Sequence, residues 1–137
     1  MPLTLILTEG VIPKGSETEA LSRLSELMLK WHGLLGNEVM APNVIGSFHV
    51  LPHTVSGMKE TPVAMIEWKV PSFAFTDRKV QLGYFEEATN LIHEMSGGRQ
   101  PKERIFINVV HTVDGAWNWE GKALTNDEIR ARIAAGG

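Results

Sequence analysis

The chain has 137 residues, of which 43% are hydrophobic and 21% are charged, a composition typical of one globular domain and unlike that of a disordered or collagen-like chain. Its 13 Lys and Arg residues against 16 Asp and Glu residues give a formal net charge of -3. Because no basic stripe is present, we expect no nucleic-acid partner. The absence of cysteine excludes thiol catalysis, thiolate metal sites and disulfides.

The apolar runs are shorter than the roughly 20 residues needed to span a bilayer, so we expect no membrane partner. The N-terminus lacks the basic start and the small-residue cleavage site of a signal peptide. We therefore expect a cytoplasmic protein.

The first half of the chain predicts a strand, a helix and a second strand. Leu3–Thr8 is a strand buried on at least one face. Ser16–Glu19 has the pattern of a capping box and begins a helix whose apolar face reaches Trp31. The second strand covers about Asn43–Leu51, with inward candidates Val44, Phe48 and Val50.

The second half repeats this order after a Pro/Gly-rich passage, Pro52 to Pro62. Val63–Val70 is a strand, Thr76 caps a helix that reaches Met95, and Ile105–Val110 is the fourth strand.

The two halves align when one is shifted by about 60 residues, which indicates a duplicated β-α-β unit spanning about residues 2–52 and 62–110. The predicted fold is α+β, a two-layer domain over 1–137 with a four-stranded mixed sheet and two helices on one face. The other sheet face then lacks a cover, so we expect oligomerisation.

The C-terminal part, residues 115–135, predicts a short hairpin and a helix. Gly115–Gly121 is an aromatic-rich hairpin or turn. Thr125–Glu128 is another capping box, and its helix is too short to be stable unless it docks on this subunit or a neighbour.

Pro2 is the candidate catalytic residue. Removal of Met1 before this small residue would leave a free secondary amine at the start of a core strand. An α-amine has a reference pKa of about 7.7–8.0, and burial lowers that value. Such a base suits proton abstraction from carbon beside a carbonyl. If Met1 persists, the Pro2 nitrogen is an amide and this chemistry is lost.

The sequence resembles the tautomerase superfamily, which includes 4-oxalocrotonate tautomerase, macrophage migration inhibitory factor, malonate semialdehyde decarboxylase and the chloroacrylic acid dehalogenases. The resemblance spans nearly the whole chain at low identity. It is carried by the Met-Pro-Leu-Thr-Leu-Ile start, by Leu7–Gly10, by Val44–Pro52, and by Glu103–Asn108 followed by Gly115–Asn118.

This resemblance implies a cofactor-independent and metal-independent tautomerase that acts on a small 2-oxo acid or enol, with Pro2 as general base. It also implies a homotrimer whose active sites lie between subunits. By position, Phe106 and Asn108 would face the Pro2 pocket, and Trp117 or Trp119 would form its apolar wall.

The family cations are missing from their usual positions. Ala41 falls near the position where the inhibitory-factor branch has a lysine. The segment Val70–Ala74 occupies the positions where the decarboxylase and the dehalogenases have a pair of arginines. The substitute cations are Lys69, Arg78 and Lys14, of which Lys69 and Arg78 are the substrate-binding candidates, since an anionic oxygen needs a positioned donor. His32 lies where one member of that branch has a histidine, although a helix C-terminus also favours a histidine cation.

Two alternatives remain open at this point. The first is a decarboxylase or a hydratase/dehalogenase of a three-carbon acid. The water-adding reactions need an acid where the alignment places Trp119, and a slip of one residue would place Glu120 there. The second is a non-catalytic trimeric protein, which the missing arginines favour. His49 and His53 lie four residues apart on a strand, a spacing that forms no metal site, so we expect no metal.

Overall fold

The computed structural model describes residues 1–137 and contains eight strands and three helices. In chain order these are β1 (Pro2–Thr8), α1 (Glu17–Trp31), β2 (Ile45–Leu51), β3 (Val55–Ser56), β4 (Lys59–Glu60), β5 (Ala64–Pro71), α2 (Arg78–Met95), β6 (Ile105–Thr112), β7 (Trp117–Trp119), β8 (Lys122–Leu124) and α3 (Asn126–Ala135).

The main sheet has the strand order β2-β1-β5-β6. Strands β1 and β2 are parallel, β5 and β6 are parallel, and β1 meets β5 in antiparallel orientation. Each half is thus a parallel strand pair with its crossover helix, and the halves join along β1 and β5. The predicted α+β class and the mixed sheet are confirmed.

Helices α1 and α2 cover one face of the sheet. The side chains of Leu3, Leu5 and Leu7 alternate with exposed or half-buried neighbours and point into this core. At its centre the Trp68 indole donates to the Tyr84 hydroxyl at 2.8 Å. That hydroxyl donates to the Leu24 carbonyl at 3.1 Å, which links the sheet to both helices. No helix has the length and apolar character needed to cross a membrane.

The opposite face, here called the open face, carries no helix. Pro2, Thr4 and Ile6 of β1 lie on it, since Leu3, Leu5 and Leu7 take the other side. Of the predicted inward residues, Val44 packs half-buried against the core just before β2, whereas the prediction for Phe48 and Val50 needs correction because all of β2 is exposed. Phe48 and Val50 share the side of Gly46, where Leu21 of α1 approaches, but β2 is an edge strand and they stay 41% exposed.

Two of the three predicted helix caps need correction. The Ser16 side chain makes no cap hydrogen bond to α1, because its hydroxyl donates to the Pro13 carbonyl at 2.6 Å. Helix α2 is capped by Asp77, one residue beyond the predicted Thr76. The Thr125 capping box with Glu128 is formed as predicted.

The C-terminal helix docks on its own chain. Its Ile129 and Ile133 side chains are buried, and the Asn37 amide donates to the Ile133 carbonyl at 2.9 Å. Strands β7 and β8 form the predicted hairpin. The Pro52–Pro62 passage holds a second small hairpin, β3 and β4, which the composition of that passage did not indicate.

Candidate functional site

A cavity of about 480 Å³ lies at the N-terminal end of β1, between the main sheet and the β7–β8 hairpin. Its lining includes Pro2 and Lys69 from the sheet and Trp117, Trp119 and Glu120 from the hairpin. Four of the residues singled out from the sequence are therefore together in one cavity: Pro2, Lys69, Trp117 and Trp119.

The strand register explains why Pro2 and Lys69 meet. Leu3 pairs with Trp68 across the antiparallel seam, so the preceding Pro2 lies beside Lys69. Because Trp68 is fully buried towards the helices, alternation turns Lys69 to the open face. Pro2 is exposed on that same face.

The N-terminal amine of this chain belongs to Met1 and lies in the same cavity. It donates a hydrogen bond to the Asn43 carbonyl. Burial lowers its pKa from 8.0 to about 6, since partial desolvation disfavours the cation. While Met1 is present the Pro2 nitrogen is an amide, so a basic Pro2 requires removal of Met1.

One cation and one carboxylate line the cavity. Lys69 Nζ lies 3.9 Å from Glu67 Oε1 on the same strand. Glu120 Oε2 lies 3.9 Å from Arg132 Nη1, and the Arg132 guanidinium lies over the Trp119 ring. Glu120 has a left-handed backbone, with φ 53°, at the turn of the hairpin, and this turn is what places a carboxylate at the cavity wall.

His32 lies elsewhere, between α1 and the loop that precedes α2. Its Nδ1 contacts the Met28 carbonyl at 2.8 Å, and its Nε2 accepts from the Phe75 backbone N–H at 3.1 Å. These two contacts define the neutral tautomer that donates from Nδ1. Burial lowers the His32 pKa, which favours the same neutral form. The geometry therefore gives His32 a structural contact, and its role in substrate binding stays a prediction.

Arg78, Asn108 and Phe106 also lie outside this cavity within one protomer. Arg78 and Asn108 line a separate groove of about 470 Å³ between α2 and β6. Asn108 pairs with Glu67, and Phe106 with Met65, so β5 separates both from Pro2. A pocket that they share with Pro2 would have to form between protomers.

Three of the other lining residues were missed or set aside from the sequence for identifiable reasons. Glu120 was considered only through a slipped alignment. Thr112 was missed because the fourth strand runs two residues past its predicted end at Val110. Asn43 was missed because its backbone carbonyl, which no side-chain pattern reveals, binds the N-terminal amine.

Several solved structures share this architecture. Pt0534, solved after inactivation by 2-oxo-3-pentynoate, is 14% identical, with a TM-score of 0.74 and coverage of 94% of this chain and 98% of that chain. N1, a member of the cis-3-chloroacrylic acid dehalogenase family, is 14% identical, with a TM-score of 0.70 and coverage of 96% and 90%.

A macrophage migration inhibitory factor homologue from Prochlorococcus marinus is 21% identical, with a TM-score of 0.67 and coverage of 90% of this chain and 99% of that chain. No family model and no curated protein sequence matches this chain. At these identities the likeness is one of fold, and it extends over nearly the full length of each chain.

Proposed function

From the premise that this chain has the tautomerase-superfamily fold, we propose that it is a cofactor-independent tautomerase. Its substrate is a small enolisable 2-oxo acid, and its general base is Pro2 after Met1 has been removed. The observation that carries the proposal is the position of Pro2 beside Lys69, in a tryptophan-walled cavity that also holds the Met1 amine, whose pKa burial lowers.

The base chemistry follows from the environment of the amine. The prolyl nitrogen, once free and neutral, takes the enol O–H proton and becomes a cation. It then returns a proton to the substrate carbon, so that this carbon gains a C–H bond, the C=C bond becomes a C–C single bond and the C–O bond becomes C=O. Substrate and product are isomers, and the nitrogen ends as it began. A general base is most effective when its pKa lies near the working pH, and desolvation of the freed prolyl nitrogen in the cavity would keep it neutral near pH 7.

Lys69 supplies the electrostatic part of the proposal. Removing the enol proton leaves negative charge on oxygen, and a fixed cation lowers the free energy of that state. Lys69 is the cationic side chain in the cavity lining. Its partner Glu67, at 3.9 Å, orients the ammonium group without a tight ion pair that a substrate carboxylate would have to break.

The proposal includes a homotrimer. The open face bears large exposed apolar side chains on its two edge strands, Ile45 at 60% and Phe106 at 40%, and burial against other copies would remove them from water. Phe106 and Asn108 of one protomer would then complete the Pro2 cavity of the next. Analytical ultracentrifugation tests this step, since a monomer at micromolar concentration contradicts it.

The decisive experiment is an enol-to-keto assay on phenylenolpyruvate with the wild type and Pro2→Ala, after intact mass has confirmed loss of Met1. We expect kcat/KM to fall at least about tenfold in Pro2→Ala, because the new primary amine lacks the ring geometry. Lys102→Ala, a surface change, serves as the matched control. Equal rates in wild type and Pro2→Ala would remove Pro2 from the mechanism and favour the non-catalytic alternative.

Glu120 favours one second candidate, a hydratase or dehalogenase that adds water to a three-carbon acid. Its carboxylate lines the Pro2 cavity and is paired loosely with Arg132, so it is placed to activate a water molecule. Product analysis separates the reactions. If the protein releases halide from 3-chloroacrylate and Glu120→Gln abolishes this release, the function is dehalogenation and not simple tautomerisation. Release of carbon dioxide from a small oxoacid would indicate a decarboxylase.

A further inference from the structure

A second cavity, of about 510 Å³, lies at the opposite end of β1 from Pro2. Leu7 of β1 and Phe48 and Val50 of β2 line it from the side of the sheet that faces the helices. Leu7 is five residues along β1 from Pro2, a distance of about 17 Å. The two cavities therefore lie at different ends and on different faces of the sheet.

The loop that closes this cavity, residues 9–15, is fixed to the rest of the chain. The Ile12 side chain lines the cavity and is buried, so the middle of the loop is anchored in the core. The Arg99 guanidinium donates to the Gly10 carbonyl at 3.3 Å, which ties the start of the loop to the segment after α2. A cavity whose walls are held in this way is formed before a ligand arrives, which lowers the entropic cost of binding.

The cavity presents apolar side chains that a ligand would cover. Phe48 and Val50 are each 41% exposed, whereas Leu7 and Ile12 behind them are buried. Removing such exposed apolar surface from water favours binding. The volume also falls within the range of about 300–1,000 Å³ that small-molecule sites occupy. A small molecule with an aliphatic end therefore fits this wall.

Two lining side chains of opposite charge have no partner within the chain. Glu9 and Lys14 form no ion pair and no side-chain hydrogen bond, either with each other or with another residue. The remaining charged group of the lining, the Glu17 carboxylate, already accepts from the Gly15 N–H at 2.9 Å. A ligand that carries one ammonium group and one carboxylate group would complement both free charges.

On this basis we infer that this cavity binds a hydrophobic α-amino acid. The ammonium group of the ligand contacts the Glu9 carboxylate, and its carboxylate contacts the Lys14 ammonium group. Its branched aliphatic side chain covers Phe48 and Val50. The site is separate from the Pro2 cavity, so it goes beyond the proposed reaction and does not depend on it.

Calorimetric titration with three matched ligands tests the inference. Leucine carries both charges, 4-methylpentanoate lacks the ammonium group, and 3-methylbutylamine lacks the carboxylate, whereas all three share the same branched aliphatic end. The proteins are wild type, Glu9→Gln and Lys14→Gln, with Pro2→Ala and Lys79→Gln as controls. Lys79 is an exposed side chain of α2, so its substitution removes the same charge as Lys14→Gln at a distant place.

We expect leucine to bind wild type, and each single-charge ligand to bind at least about tenfold more weakly. Glu9→Gln and Lys14→Gln should each weaken leucine binding about tenfold, since each removes one charged contact. Lys79→Gln and Pro2→Ala should bind leucine as wild type does.

Four results would each overturn the inference. They are no leucine binding by wild type, equal affinity for leucine and a single-charge ligand, wild-type affinity for leucine in Glu9→Gln or Lys14→Gln, and an equal loss of affinity in Lys79→Gln or Pro2→Ala. Failure of the phenylenolpyruvate assay with these affinities as expected would instead overturn only the proposed reaction.

Discussion

The basicity of the N-terminal amine gives a direct test of the candidate cavity. A Pro2→Leu chain retains Met1, since initiator methionine is removed before small residues. Burial lowers the pKa of the Met1 amine from 8.0 to about 6. At pH 7 an amine of pKa 8.0 is about one-tenth neutral, whereas one of pKa about 6 is about nine-tenths neutral. The cavity thus raises the basic fraction about tenfold.

The perturbation is Trp117→Ala in this Met1-retaining chain. Trp117 is half-buried and lines the same cavity as Met1, so removal of its indole admits water beside the amine. We expect the pKa of the amine to rise from about 6 towards 8.0, because solvation restores part of the stability of the cation. An NMR titration of the Met1 Cα resonance measures this pKa in both chains.

The matched control is Met58→Ala, whose side chain is 97% exposed at the tip of the β3–β4 hairpin. It should leave the pKa of the amine unchanged.

The same pKa shift sets how the free energy of unfolding changes with pH. Since the folded amine has the lower pKa, its contribution favours folding above pH 8 and is lost as the pH falls towards 6. An amine that titrates near 8.0 in the parent chain, or near 6 in Trp117→Ala, would refute the reasoning.

Three further outcomes are expected. Gly83→Ala should destabilise the protein by about 1–3 kcal/mol in urea unfolding, because a Cβ there would overlap the Trp31 indole. In a Trp31→Ala background the same change should instead stabilise the protein. Additive effects of the two substitutions on stability would contradict this packing. His32→Phe should reduce the loss of stability below about pH 6.5, since the folded pKa of His32 is lowered and its neutral form favours folding; unfolding curves at pH 5 and pH 7.5 that shift equally in both proteins would contradict it. Lys69→Met should raise KM for phenylenolpyruvate about tenfold or more, and an equal effect of Arg78→Met would support a groove shared between protomers.

The fold was predictable because it depends on patterns that recur in the chain. Alternation in β1 and the shift of about 60 residues between the halves predict the strands, the parallel pairs and the crossover helices. The caps were less predictable, since a serine before a helix has several acceptors within reach. Ser16 donates to the Pro13 carbonyl of the preceding turn, whereas the Thr125 hydroxyl donates to the Glu128 carboxylate and accepts from the Glu128 backbone N–H, which caps the helix.

The candidate site was predictable where strand register alone decides the neighbours. Lys69 lies beside Pro2 because the antiparallel register of β1 and β5 places them in neighbouring positions. The positions of the Arg78 and His32 side chains depend on how α1, α2 and the connecting loop pack across the sheet, and local sequence patterns do not encode this packing. The place of Glu120 in the cavity lining depends on a left-handed turn in the hairpin. That of Thr112 depends on the extension of β6 by two residues beyond its predicted end.

The position of β1 in the centre of the sheet has a consequence during synthesis on the ribosome. This strand is the first to be made, yet its partners begin at Ile45 and Ala64. At about 5–20 residues per second, translation of the interval to β5 takes roughly 3–13 s. Both edges of this leucine-rich strand stay unpaired until β2 has been made, and the edge that β5 covers stays unpaired throughout the interval, a form prone to aggregate. Production of this protein should therefore depend on chaperones that shield the emerging N-terminus until the second half has been translated.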